Sequence, residues 1–285
     1  MNSRKRVIYS LLALLLAGGC KILGERKVVN ISKQWPAAGV RHVEVSEIDG
    51  TINVEAADTD QITLNAVVKT RVPGKANEDN QGFFRTELDG DTLTIGRKRE
   101  HHWGLHWGLS GNEYFVTYEL RVPPSVSLEL ATVNGRIVAR GVDGETRATT
   151  VNGVVDIETA GTNEVEARAV NGIIRAHFLK DFHGASFKTV NGRVVAVLPP
   201  NASFYGDFTQ VNGDFEAAFP LDIHSHPGSR RVSGEVNGGK YELKITTVNG
   251  DIKVENLGGP TPPVTPAPPA PSAVPAPPAP PAPST

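Results

Sequence analysis

Along most of this chain apolar and polar residues alternate with a period of two, and the alternation restarts at regular intervals. Two and four places after a recurring glycine stand Ile137 and Ala139, Val155 and Ile157, Ile174 and Ala176, Val194 and Ala196, Phe215 and Ala217, and Ile252 and Val254. Ile52 and Val54 follow Gly50 in the same way, and the places between carry Asp156, Glu158, Arg175, His177, Glu216, Lys253 and Glu255. Upstream of the glycines the pattern continues through Leu128, Leu130 and Thr132, through Phe187 and Thr189, and through Leu243, Ile245 and Thr247. Apolar in and polar out at a period of two predicts half-buried strands. Beyond the first 20 residues no stretch has helical periodicity.

The glycines belong to a Val-Asn-Gly triplet that occurs seven times, at Asn134-Gly135, Asn152-Gly153, Asn171-Gly172, Asn191-Gly192, Asn212-Gly213, Asn237-Gly238 and Asn249-Gly250. The intervals are 18, 19, 20, 21, 25 and 12 residues, and Ile48-Asp49-Gly50 is a weaker first member. Turn signals at Asp143-Gly144, Gly161-Thr162 and His183-Gly184 fall midway, so each repeat reads as two strands and two turns. The fold class is therefore all-β, and two architectures fit. Asn-Gly is the preferred type I′ hairpin pair, which gives an antiparallel meander or barrel. Alternatively each 18–21-residue repeat is one coil of a β-solenoid, its coils stacked in parallel about 4.8 Å apart. Glycine then supplies a left-handed backbone at every corner, and the asparagines hydrogen-bond to one another along one edge. The solenoid is favoured, because the inward residues are small or β-branched and asparagine recurs at every triplet while the midway turns vary.

The stretch Tyr118-Glu119-Leu120-Arg121-Val122-Pro123, followed by Ser127 through Gly135, resembles the bacterial candidate-adhesin domain of unknown function, whose members repeat a valine-proline, strand, Asn-Gly, strand cadence along a β-helical body. The resemblance covers residues 40–257. It implies a right-handed β-helix, an envelope location and a surface or scaffold role, with no catalytic motif to carry over.

The two ends add compartment. Arg4, Lys5 and Arg6 precede an apolar run from Val7 to Ala17, which reads as an export signal over residues 1–19. Leu16-Ala17-Gly18-Gly19-Cys20 resembles a bacterial lipobox, and Cys20 is the only cysteine of the 285 residues, so lipidation is expected at Cys20. Lys21 at the following position points, by resemblance to lipoprotein sorting, to the outer membrane of a Gram-negative cell. Residues 20–39 are expected as a lipidated linker, 40–257 as the solenoid and 258–285, rich in proline and alanine, as a disordered tail. With a net charge of −2 and both signs dispersed, the composition points away from a nucleic-acid partner. The partners expected are the membrane, through the lipid, and an envelope glycan or protein.

Chemistry-bearing residues are few. His101, His102, Trp103, His106 and Trp107 cluster in one glycine-broken segment, and Trp103, Trp107 and His106 are the expected ligand contacts. Metal binding there, or at His224 and His226, lacks the three or four fixed ligands that a zinc site needs, so no metal or other cofactor is expected. Asp156, Glu158, Asp214 and Glu216 are outward carboxylates of the kind glycosidases pair, yet they recur amid Arg136, Arg140, Arg175 and Arg193, as on a solvated face. The expectation is an anchored adhesion or scaffold module without catalysis. The alternatives are a polysaccharide-active β-helix enzyme and an envelope-stress accessory protein.

Overall fold

The computed structural model describes residues 27–70, 83–96, 114–226 and 229–258. Cys20, the His101–Trp107 cluster and the proline-rich tail lie outside them. Seventeen strands and no helix occur among the described residues.

Four long strands form the centre: β2 (His42–Ala56), β7 (Ser127–Arg140), β8 (Thr146–Thr159) and β9 (Val165–Phe178). They pair in parallel, triplet over triplet, with Asp49 beside Asn134, Asn134 beside Asn152 and Asn152 beside Asn171. From β7 to β9 the offsets of 18 and 19 residues are the repeat lengths read from the sequence, so the body is a parallel, solenoid-like stack and not a closed barrel.

Each strand turns a corner at its triplet. In β7, Leu128, Leu130 and Thr132 are buried, Val133 and Asn134 are both exposed, and burial resumes at Ile137 and Ala139. The alternation thus slips by one residue, which keeps both halves of the strand facing one core, where a straight strand would have turned its second half outward. Two sheets result, one before the corner and one after, closing on a continuous core of valine, isoleucine, leucine, alanine and phenylalanine.

The stack continues past β9 in an order that differs from the sequence. The pair β10 (Ala185–Asn191) and β11 (Val194–Leu198) lies on β9. On its other side comes not the next segment but the last, β16 (Tyr241–Asn249) and β17 (Ile252–Asn256). Only beyond these lie β12 (Phe204–Asn212) and β13 (Phe215–Ala217). The final coil is therefore inserted between two earlier ones.

Antiparallel strands finish both ends, so the meander alternative survives there. The hairpin of β14 (Asp222–His226) and β15 (Ser229–Val236) pairs with β12. At the opposite end β5 (Thr92–Gly96) and β6 (Tyr114–Val122) lie parallel to the two halves of β2. Outside them β4 (Arg85–Asp89) pairs with β5, and β3 (Gln61–Thr70) with β6. The outermost strand is β1 (Lys27–Pro36), antiparallel to β3. It occupies part of the stretch expected to be linker: Ile31 is buried and Val29 and Trp35 pack on the core, which holds the segment to the body.

Two further expectations are corrected. Gly192, Gly213 and Gly250 have positive φ as expected, but at Gly135, Gly153 and Gly172 the backbone is not in the left-handed region. Glycine is required there because a methyl group would overlap the carbonyl oxygen of the glycine one coil away. The triplet of Asn237-Gly238 takes no part in the stack; Asn237 is itself left-handed (φ 51°) in the turn from β15 to β16. Its side-chain amide donates to the Ala202 carbonyl at 2.9 Å, tying this turn to the segment before β12.

Candidate binding groove

The corner is built from side-chain amides. Asn134 donates to Asp49 (2.8 Å), Asn152 to Asn134 (2.9 Å), Asn171 to Asn152 (2.9 Å) and Asn191 to Asn171 (2.8 Å). Asn249 then donates to Asn191 (2.9 Å) and Asn212 to Asn249 (2.8 Å). Every amide donates in the same direction, so the last acceptor needs no donor of its own, and a carboxylate at Asp49 fits that place. This ladder is exposed and structural. The glycines Gly135, Gly153, Gly172, Gly192, Gly250 and Gly213 run beside it, backbone against backbone.

The polar face with unused binding capacity lies elsewhere, on the second sheet at its N-terminal end. There β1, β3, β6, β2 and β7 lie side by side around an open groove of about 620 Å³. The strand period sends alternate residues outward, and the pairing aligns them in rows. One row runs Gln34, Thr63, Arg121, Glu55, Arg140, and the next Ser32, Asn65, Glu119, Asn53, Val138. Arg136, beside Thr51, completes the rim. Val138 points outward yet is 7 % exposed, forming part of the groove floor, while Val54 and Leu120 send their side chains into the core on the other side of the sheet. Among the described residues, none of the charged side chains Glu55, Glu119, Arg121, Arg136 and Arg140 has an ion pair or hydrogen bond.

The sequence marks little of this. Arg136 and Arg140 stand out in it as members of a charged face, but Ser32, Gln34, Asn53, Thr63, Asn65, Glu119 and Arg121 do not. The available signal is that these outward positions are all polar, whereas the same rows further along carry Val154, Ile173 and Val195. What brings them together is the antiparallel order β1, β3, β6, which no repeat encodes.

The four carboxylates weighed for catalysis do not meet at one place: Asp156 and Glu158 are two residues apart on β8, and Asp214 and Glu216 lie coils away. Asp156 lies between Val138 and Arg175, and Glu158 between Arg140 and His177. Glu216 is in the same row as Asp156 but four strand spacings away, about 19 Å at 4.8 Å each, against the roughly 5–9.5 Å of a glycosidase pair. Lys253 sits 3.6 Å from Glu216. Asp214 is exposed and donates its backbone N–H to Asp251 at 3.2 Å. Asp251 accepts two bonds from Arg193 at 2.8 and 3.1 Å. That guanidinium, with the Asp214 N–H second, holds the Asp251 carboxyl below its usual range. Among the described residues no cluster of three or more histidine, cysteine, aspartate or glutamate side chains could hold a metal.

Comparison with solved structures finds similarities at low identity. A candidate cell adhesion protein from Clostridium sporogenes is 12 % identical over 81 % of this chain and all of its own length, with a TM-score of 0.44. A candidate adhesin from Bacteroides fragilis is 8 % identical over 82 % of this chain and all of its own, with a TM-score of 0.29. A candidate lipid-binding protein from Parabacteroides distasonis is 9 % identical over 80 % of this chain and 96 % of its own, again with a TM-score of 0.29. No curated protein matches. A family model does: residues 126–255, from the start of β7 through β17, match the family described as Toastrack DUF4097.

Proposed function

We propose that this protein is an anchored, non-catalytic adhesion or scaffold module of the bacterial envelope. Its lipid sits on Cys20 and holds it at a membrane, the outer one in a Gram-negative cell. The body presents a stacked surface, and in this reading its coils are right-handed, as parallel crossover connections nearly always are. The observation that carries the reading is the groove: a polar recess on paired strands whose charged side chains are unengaged among the described residues. A recess of this kind suits reversible recognition of a polar partner.

The test uses the full chain with whole cells and isolated sacculi, with analysis of soluble products. Saturable retention without released fragments is expected. Release of glycan fragments would overturn the non-catalytic reading, and absence of retention would overturn the module. In parallel, radiolabelled palmitate should enter the wild-type chain and be absent from Cys20→Ala, which should then leave the membrane fraction.

A further inference from the structure

The geometry points to the groove as a site for an uncharged, hydroxyl-rich polysaccharide, recognised through pairs of neighbouring hydroxyls. The inference rests on the module reading and names its ligand. A sugar ring presents adjacent hydroxyls, and each can donate and accept. A complementary surface sets groups that only accept beside groups that only donate. Carboxylates accept, guanidinium groups donate, and side-chain amides do both. The groove has this order: Arg121, Glu55 and Arg140 in one row, with Asn65, Glu119 and Asn53 in the next. Paired strands set these neighbours about 4.8 Å apart.

Charge selects against ionic polymers. An acidic chain laid across the groove meets Glu55 and Glu119, and a basic chain meets the three arginines, so each gains an attraction only with a repulsion beside it. An uncharged chain uses both kinds of group. Five strands span about 19 Å, room for several sugar units. Among the described residues no aromatic side chain lines the groove. Recognition in this reading falls to the hydrogen bonds, with Val138 beneath them for the C–H face of a ring.

The experiment is calorimetric titration of the full chain in detergent with cellohexaose, chitohexaose and maltohexaose, and with polygalacturonate as the acidic comparison. Saturable binding of at least one neutral hexasaccharide is expected. Its affinity should fall about tenfold or more in Glu119→Gln and in Arg121→Gln, each of which removes charge-assisted bonds while keeping a polar side chain. It should change less than about twofold between roughly 50 and 500 mM salt. Asp156→Asn, outside the groove, should bind as wild type, and unchanged melting temperatures show that the variants are folded. The proposal is overturned by no saturable binding to any neutral probe, by binding that survives both groove variants, or by salt-sensitive binding of polygalacturonate alone. If cells and sacculi retain the groove variants as well as the wild type, this site falls while the module reading stands.

Discussion

A methyl group added at Gly153 would overlap the carbonyl oxygen of Gly135, and one added at Gly172 would overlap that of Gly153. The backbones of successive coils approach too closely at the corner for any Cβ, and no side-chain rotation relieves a clash with backbone. Gly153→Ala should therefore destabilise the protein by about 3 kcal/mol or more, measured by denaturant unfolding. Gly39→Ala is the contrast: its φ is +89° and nothing lies within 4 Å, so only the conformational term remains, about 1–2 kcal/mol. Equal losses at the two positions would refute the close-approach account. The repeated Asn-Gly was legible in the sequence, but the reason for its glycine was not, because the crowding comes from a residue 18 or 19 places away. One position inside the corner departs from good packing. Thr132, Thr150, Thr189 and Thr247 are buried two places before their asparagines, and among the described residues their hydroxyls have no hydrogen-bond partner. The shape of threonine is kept by valine, and an unsatisfied buried hydroxyl is unfavourable. Thr150→Val should accordingly raise stability, by about 1 kcal/mol, and a loss of that size would show that the hydroxyl is engaged.

At the scale of elements, the inserted coil β16–β17 is held from both sides by the same kinds of bond that join sequential coils. Asn249 donates to Asn191 on one side and accepts from Asn212 on the other. Asp251 repeats this two residues on, taking Arg193 from β10–β11 and the Asp214 N–H from β12–β13. Its native pKa is lowered from 3.8, chiefly by Arg193, so this contribution is fully present above about pH 4 and is lost as pH falls through the lower native value. The pair is partly solvent-exposed, which limits it to a fraction of a kcal/mol, on the order of 0.5. In Asp251→Asn that share of the acid-induced loss should vanish. An unchanged acid limb between about pH 4 and 2, measured by denaturant midpoints, would mean that the pair contributes nothing. The period-two pattern identified the strands of this region, and the breaks in spacing at 25 and 12 residues were visible. What they meant was not, since a triplet in a left-handed turn (Asn237) and one in the ladder (Asn249) have the same three residues. The groove was hidden for a related reason: its strands β1, β3 and β6 pair antiparallel, outside the repeat, and register between distant segments leaves no mark on either one.

For the molecule as a whole, chain order and stack order disagree, and at the C-terminal end this has a consequence for where rigidity lies. A solenoid built in sequence order would have its last coil at the end, the least protected place, because a terminal repeat has one neighbour and an internal repeat two. Here the last coil is internal. Its β16 pairs with both β10 and β12, and its β17 with both β11 and β13. The exposed end is instead β14, paired only with β15 among the described residues. Hydrogen exchange follows local opening, and internal ladders open last. Amides of Leu243, Ile245, Ile252 and Val254 should therefore exchange as slowly as those of Ile157 and Ile174 in the central coils, while those of β14 exchange early. Removing the chain from Tyr241 onward gives the complementary result. It takes away the rung between β10–β11 and β12–β13, bares the phenylalanine-rich core around Phe187, Phe204 and Phe208, and should abolish cooperative unfolding of the C-terminal half without touching the β1–β3–β6–β2–β7 groove. Fast exchange across β16 and β17 in the intact protein, or a truncated chain that unfolds as cooperatively as the full one, would show that the inserted coil is an appendage and not the keystone its position implies.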